Sequence, residues 1–199
     1  IQTSFEAVIA EIVDNSIDAK ASKIWVHWDG HTRSDFHVIV FDDGLGFRTR
    51  EDKKSGGKAS EQGLIDAFSL AGKESRDGAI GKYNIGLKLS PLSICKSVSA
   101  LCKIDEGSDT ILHRGIDNDM SEKYEKYGTF KEAPKNQAIK YAKKVLKSGS
   151  NNYRTAVVLF NFKKLPITGQ IISEDDLVLR KPAGNLGIEN YLEIIGKRL

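Results

Sequence analysis

The chain has 199 residues, 40% hydrophobic and 29% charged, the make-up of a soluble globular domain with one substantial core. A formal charge of +3 gives no global field directed at nucleic acid or a membrane. No apolar run approaches the length of a membrane-spanning helix, and no signal-peptide pattern is visible.

In chain order, a first helix runs to about Lys20. Phe5, Val8, Ile9, Ile12 and Val13 recur at helical spacing and form a core-facing stripe, after a capping-box pattern at Thr3-Ser4-Phe5-Glu6. Lys23 to Trp28 and Phe36 to Phe41 are rich in β-branched and aromatic residues and predict a hairpin around the Gly30–Asp35 turn. Arg48 to Ser60 reads as a loop, Glu61 to Ala71 as a helix, Gly72 to Gly78 as a second loop and Ile80 to Leu92 as a helix opened by glycines. Ser97 to Lys103 and Thr110 to Gly115 predict strands, and Ile116 to Lys135 is ambiguous. Asn136 to Lys147 predicts a helix with Ala138, Ile139, Ala142, Val145 and Leu146 inward, and Arg154 to Phe162 a strong strand. This order predicts one α/β or α+β layer sandwich. The chain starts inside a helix signal without Met and ends in the helical pattern Ile188 to Leu199, so a fragment of a longer protein is expected.

Three segments carry chemistry. On the first helix, Glu11, Asp14, Asn15 and Asp18 share roughly a third of the circumference at about 100° per residue. Three carboxylates and an amide crowded in this way repel one another unless a cation or ligand joins them, although a solvated polar face is the ordinary alternative. The second strand runs into Asp42-Asp43-Gly44-Leu45-Gly46. Asp42 is an acceptor suited to an exocyclic amine such as that of adenine, and the glycines admit close backbone approach; an ordinary Asp-Gly turn is the alternative. The third segment is Ile80-Gly81-Lys82-Tyr83-Asn84-Ile85-Gly86-Leu87-Lys88, where a glycine-opened helix start offers backbone N–H groups to an anion. It is neither a Walker A loop nor a Rossmann fingerprint.

Taken together and in this order, these segments resemble the GHKL ATPase superfamily. Glu11, Asn15 and Asp18-Ala19 match its first motif, Asp42-x-Gly44-x-Gly46 its second, and Ile80 to Lys88 its third, in a form closest to Microrchidia and heat-shock chaperone ATPases. Ser75 resembles a serine that precedes the third motif in Microrchidia-like members, and Thr155 matches the fourth. The resemblance spans residues 4 to about 162. Asn84 and Arg154 stand where the family usually has glycine.

The resemblance implies a Bergerat fold: an α+β two-layer sandwich with a mixed, mainly antiparallel sheet and helices on one face. It implies ATP and Mg²⁺ as ligands. Asp42, supported by Thr155, would take the adenine amino group, with Gly44 and Gly46 in the turn beside it. Asn15 would hold Mg²⁺ and Glu11 would activate water. Asp14 and Asp18 would support them, or Asp18 would fix the helix against the Asp42 turn. Gly81, Ile85, Gly86 and Leu87 would cradle phosphates, with Lys82 and Lys88 adding charge. Slow ATP hydrolysis, an ATP-dependent homodimer closing a lid over Arg48 to Gly78, and a downstream domain completing the site are further implications. A histidine-kinase-type catalytic domain and a non-hydrolysing ATP-gated interaction module are the rival expectations.

The remaining features are less pointed. Cys95 and Cys102 read as small buried hydrophobes in a reducing, intracellular setting, cytoplasmic or nuclear. His27, His31, His37 and His113 lack metal-ligand spacing, and Trp25 and Trp28 read as sheet residues. Lys140, Lys143, Lys144 and Lys147 form an acid-free group that either meets nucleic-acid phosphates or is simply solvated.

Overall fold

The computed structural model describes residues 5–30, 32, 34–68, 90–117, 136–148, 152–163 and 186–187. Helix α1 (Phe5–Asp18) leads into the hairpin β1 (Ile24–Asp29) and β2 (His37–Asp42). Three short helices follow, α2 (Arg50–Ser55), α3 (Glu61–Phe68) and α4 (Ser90–Ile94). The chain continues through β3 (Cys95–Lys103), β4 (Ile111–Asp117), α5 (Gln137–Lys147), β5 (Thr155–Phe162) and the two-residue β6 (Leu186–Gly187).

The strand order is β4-β3-β5-β2-β1-β6, and every described pairing is antiparallel. β5 therefore enters between β3 and β2. Its run Ala156–Phe160 is buried throughout, as a strand covered on both faces requires. The α+β architecture and the predominantly antiparallel sheet agree with the sequence reading.

Side chains alternate across a strand, so each face has its own core. On one face, Val8, Ile9, Ile12 and Val13 of α1 meet Val38, Val40, Ala100, Val157 and Leu159, with Leu64 and Phe68 of α3 beside them. On the other, Ile39, Phe41, Leu101, Ala156, Val158 and Phe160 meet Ala138, Ile139, Ala142 and Leu146 of α5. The expectation of two layers with helices on one face is corrected here. The second face is as apolar as the first, and α5 keeps it from water.

Two further corrections concern residues 48–68. The stretch read as a loop contains α2, which an apolar-periodicity search misses because its stability is local. Thr49 Oγ1 accepts from Asp52 N at 3.1 Å, Thr49 N donates to Asp52 Oδ2 at 2.9 Å, and Gly56 closes the helix at φ +71°. The expected lid began at Arg48, but Leu64 and Phe68 anchor α3 in the same core cluster as α1. The rest of the expected lid, the glycine-opened helix start, residues 118–135 of the ambiguous segment (its first two residues end β4), Thr3 and Ser4 of the capping box and the Ile188–Leu199 helix lie outside the described residues.

Candidate functional site

Asp42 is the last residue of β2 and Thr155 the first of β5, and the two are register partners. Thr155 is in turn the partner of Cys102 on β3. Cys102, Thr155 and Asp42 thus form a row across three strands at one end of the sheet. Alternation puts the row on the α1 face, with Val40, Ala100 and Val157. All three are buried, Asp42 at 3% and Thr155 at 4% exposure.

A carboxylate this buried needs donors. Ser16 Oγ, on the core side of α1, donates to Asp42 Oδ2 at 3.0 Å, and Gly44 N donates to Oδ1 at 2.9 Å. Burial is the larger influence and pushes the Asp42 pKa up to about 6, against the hydrogen bonds that favour its charged form. Thr155 Oγ1 lies near enough to contribute to that lowering, yet meets no partner at hydrogen-bonding geometry. A buried hydroxyl without a partner beside a buried carboxylate is a polar pair suited to a ligand that both donates and accepts.

The turn after β2 is fastened from below. Asp43 Oδ1 accepts from Ser22 N at 2.7 Å and Lys23 N at 2.8 Å, and Ser22 Oγ donates to Oδ2. Against the burial that raises it, these bonds hold the Asp43 carboxyl below its ordinary range. Leu45 N donates to Ala19 O at 2.8 Å. A Cβ on Gly44 would lie 2.9 Å from that same oxygen, and one on Gly46 (φ +72°) would lie 2.5 Å from Cys102 Sγ. The glycines therefore let the turn press against the end of α1 and the floor of the row. Cys102 is a free thiol, as expected, and burial pushes its pKa up to about 11, so it is unreactive near neutrality.

On α1, Glu11, Asn15 and Asp18 are exposed and Asp14 is half-buried. The Asp14 carboxyl is raised by its burial and by the charges of Asp18 and Glu11, the mutual repulsion their spacing predicts. Carboxylate and carboxamide oxygens suit a hard cation such as Mg²⁺. Among the described residues no cluster of three or more His, Cys, Asp or Glu could hold a metal ion. The ties between α1 and the Asp42 turn run through Ser16 and Ala19, while Asp18 stays exposed.

Residues 3–151 match the family model for histidine kinase-, DNA gyrase B- and HSP90-like ATPases. The chain belongs to this family. It is a GHKL-type ATP-binding domain, and a search of curated proteins finds no match to it.

In this GHKL domain Thr155 lies beyond the matched segment, and its pairing with Asp42 is what brings it to the site. Arg154, in the place of a family glycine, leaves the ladder intact: its N–H donates to Asp42 O and its carbonyl accepts from Lys103 N, both at 2.8 Å. Gly81, Lys82, Ile85, Gly86, Leu87 and Lys88, with Ser75 and Asn84, lie outside the described residues. Sequence reasoning missed Ser16 and Asp43. Ser16 did carry a signal, as a hydroxyl one turn beyond Ile12 on an otherwise apolar stripe. Asp43 carried none, because its partners are set by how the two turns pack.

Proposed function

We propose that this domain binds ATP with Mg²⁺ on the α1 face, hydrolyses it slowly and uses the cycle to drive closure of a larger, dimerising protein. The observation that carries the reading is the buried Asp42–Thr155 pair, a charged acceptor held by Ser16 and Gly44 beside a hydroxyl with no partner. Asp42 accepts from the adenine amino group, and Thr155 supplies the second contact. Asn15 is the protein ligand for Mg²⁺, which when bound neutralises phosphate charge.

Glu11, one turn before Asn15 on the same exposed face, orients the attacking water and takes its proton. Asp14 and Asp18 keep that face negative. Gly81, Ile85, Gly86 and Leu87 offer backbone N–H groups to the phosphates, with Lys82 and Lys88 adding charge. The motif pattern fits a Microrchidia-like or chaperone-like member best.

Glu11→Ala separates binding from chemistry. ATP affinity measured by calorimetry should stay within about threefold, while phosphate release falls by about 10²-fold or more. Unchanged turnover would remove Glu11 from the mechanism.

A further inference from the structure

Helix α5 sits on the sheet face opposite Asp42 and Thr155, and the nucleotide site makes no use of its outer surface. Its 11 residues include four lysines and no acid. Lys140, Lys143, Lys144 and Lys147 fall at i, i+3, i+4 and i+7, so they form one stripe about 10 Å long. All four are exposed. The ion pairs described in the structure join Lys58 to Asp105 and Arg114 to Glu61, and none involves the stripe.

The charge is concentrated against the trend of the chain. These lysines carry +4 while the whole chain carries +3, so the remainder sums to −1 (3 less 4). Lys144 and Lys147, in the last turn, also complement the helix dipole. Lys140 and Lys143 lie further in and have no such account, and their mutual repulsion works against the helix. The sheet provides no offset where it faces Lys143: burial, with repulsion from Lys143, pushes His113 down to about 4, so it is neutral near pH 7.

The stripe is also rigidly mounted. Asn136 Oδ1 caps the helix by accepting from Ala138 N at 2.7 Å. Tyr141 stacks on His27 of β1 with ring centroids 4.7 Å apart. Ala138, Ile139, Ala142 and Leu146 are all buried in the core.

We propose that the Lys140–Lys147 stripe is a docking surface for the phosphate backbone of a nucleic acid. A lipid surface fits less well. An interfacial helix needs a free apolar face to enter the headgroup layer, and that of α5 is already buried against the sheet. A fixed row of ammonium groups, flanked by an exposed Tyr141 whose ring is held against His27, matches a polyphosphate backbone, whose binding is electrostatic and independent of sequence. This inference does not rest on the nucleotide reading.

The test is fluorescence anisotropy of a short labelled DNA duplex of mixed sequence, titrated with the full chain at several salt concentrations. If all four lysines meet phosphates, log affinity falls against log salt with a slope of about −3.6, roughly a 100-fold loss between about 50 and about 200 mM. The double variant K140Q/K143Q should lower the slope by about 2 and reduce that loss to roughly tenfold. Its circular dichroism and ATP affinity should be unchanged, because the inner face of α5 and the α1 face are untouched. Lys54→Gln, an exposed lysine on α2, should leave the slope as it was. The proposal is overturned by absence of salt-dependent binding, by a wild-type slope in K140Q/K143Q, or by an equal loss in Lys54→Gln. Binding to phosphatidylserine vesicles without binding to the duplex would overturn it in favour of a membrane surface.

Discussion

The two faces of this sheet are built from the same strands and put to different ends. On the α5 face the buried layer runs through Ile39, Phe41, Leu101, Ala156, Val158 and Phe160, with Ser97 and Ser99 of β3 as buried polar members. On the α1 face the same alternation continues past Val40 and Val157 to Asp42 and Thr155 at the strand ends, and there the core becomes a polar floor. Burial is equally deep on both sides. What differs is that the α1 face ends on a carboxylate and a hydroxyl side by side, Asp42 and Thr155, whereas the α5 face buries its hydroxyls within β3, at Ser97 and Ser99.

Substitutions on the two faces should therefore separate stability from binding. The largest effect on stability belongs to the α5 face. Leu146→Ala removes a fully buried side chain and should cost about 3 kcal/mol in urea unfolding, with ATP affinity within about twofold of wild type in the folded protein. A large loss of affinity there would blur the division between the faces.

Gly46→Ala comes next, at about 2 kcal/mol. Its Cβ would lie 2.5 Å from Cys102 Sγ at a backbone φ of +72°. Adding Cys102→Ala relieves the contact but not the backbone, so the double variant should recover part of the loss. Full recovery would make the strain purely steric.

The third prediction concerns pH. The folded Asp42 pKa is raised from 3.8 to about 6, so its neutral form favours the fold. That contribution is complete below about pH 4 and is lost as pH rises through 6. Ligand binding has the opposite sign, because a donor such as an amino group needs the ionised form. ATP affinity should drop about tenfold from pH 7 to pH 5, a dependence absent from Asp42→Asn. The smallest effect is that of Ser16→Ala, which removes one donor to Asp42 and should weaken ATP binding about fivefold while raising the pH midpoint.

The contrast between the faces also explains what the sequence made legible. α1, the hairpin, β5 and α5 were readable because each carries a strong apolar period. That period told which side of α5 is buried but not which sheet face it covers, since either face satisfies an amphipathic helix. α2 was hidden because a capping box in a polar segment leaves no stripe. At the site, Asp42 and Thr155 were each recognisable by motif. Their adjacency comes from β5 entering the sheet beside β2, which no local pattern encodes. Ser16 and Asp43 act only once α1 and the Asp42 turn are brought together.

The most direct test of the central claim is ATP binding by Asp42→Asn at pH 7.5, measured by calorimetry alongside thermal unfolding. Asparagine keeps the size of the side chain and replaces one acceptor oxygen with a donor. The account predicts a loss of affinity of about 100-fold with the unfolding midpoint unchanged or raised. Wild-type affinity in this variant would contradict it and place the nucleotide elsewhere on the domain.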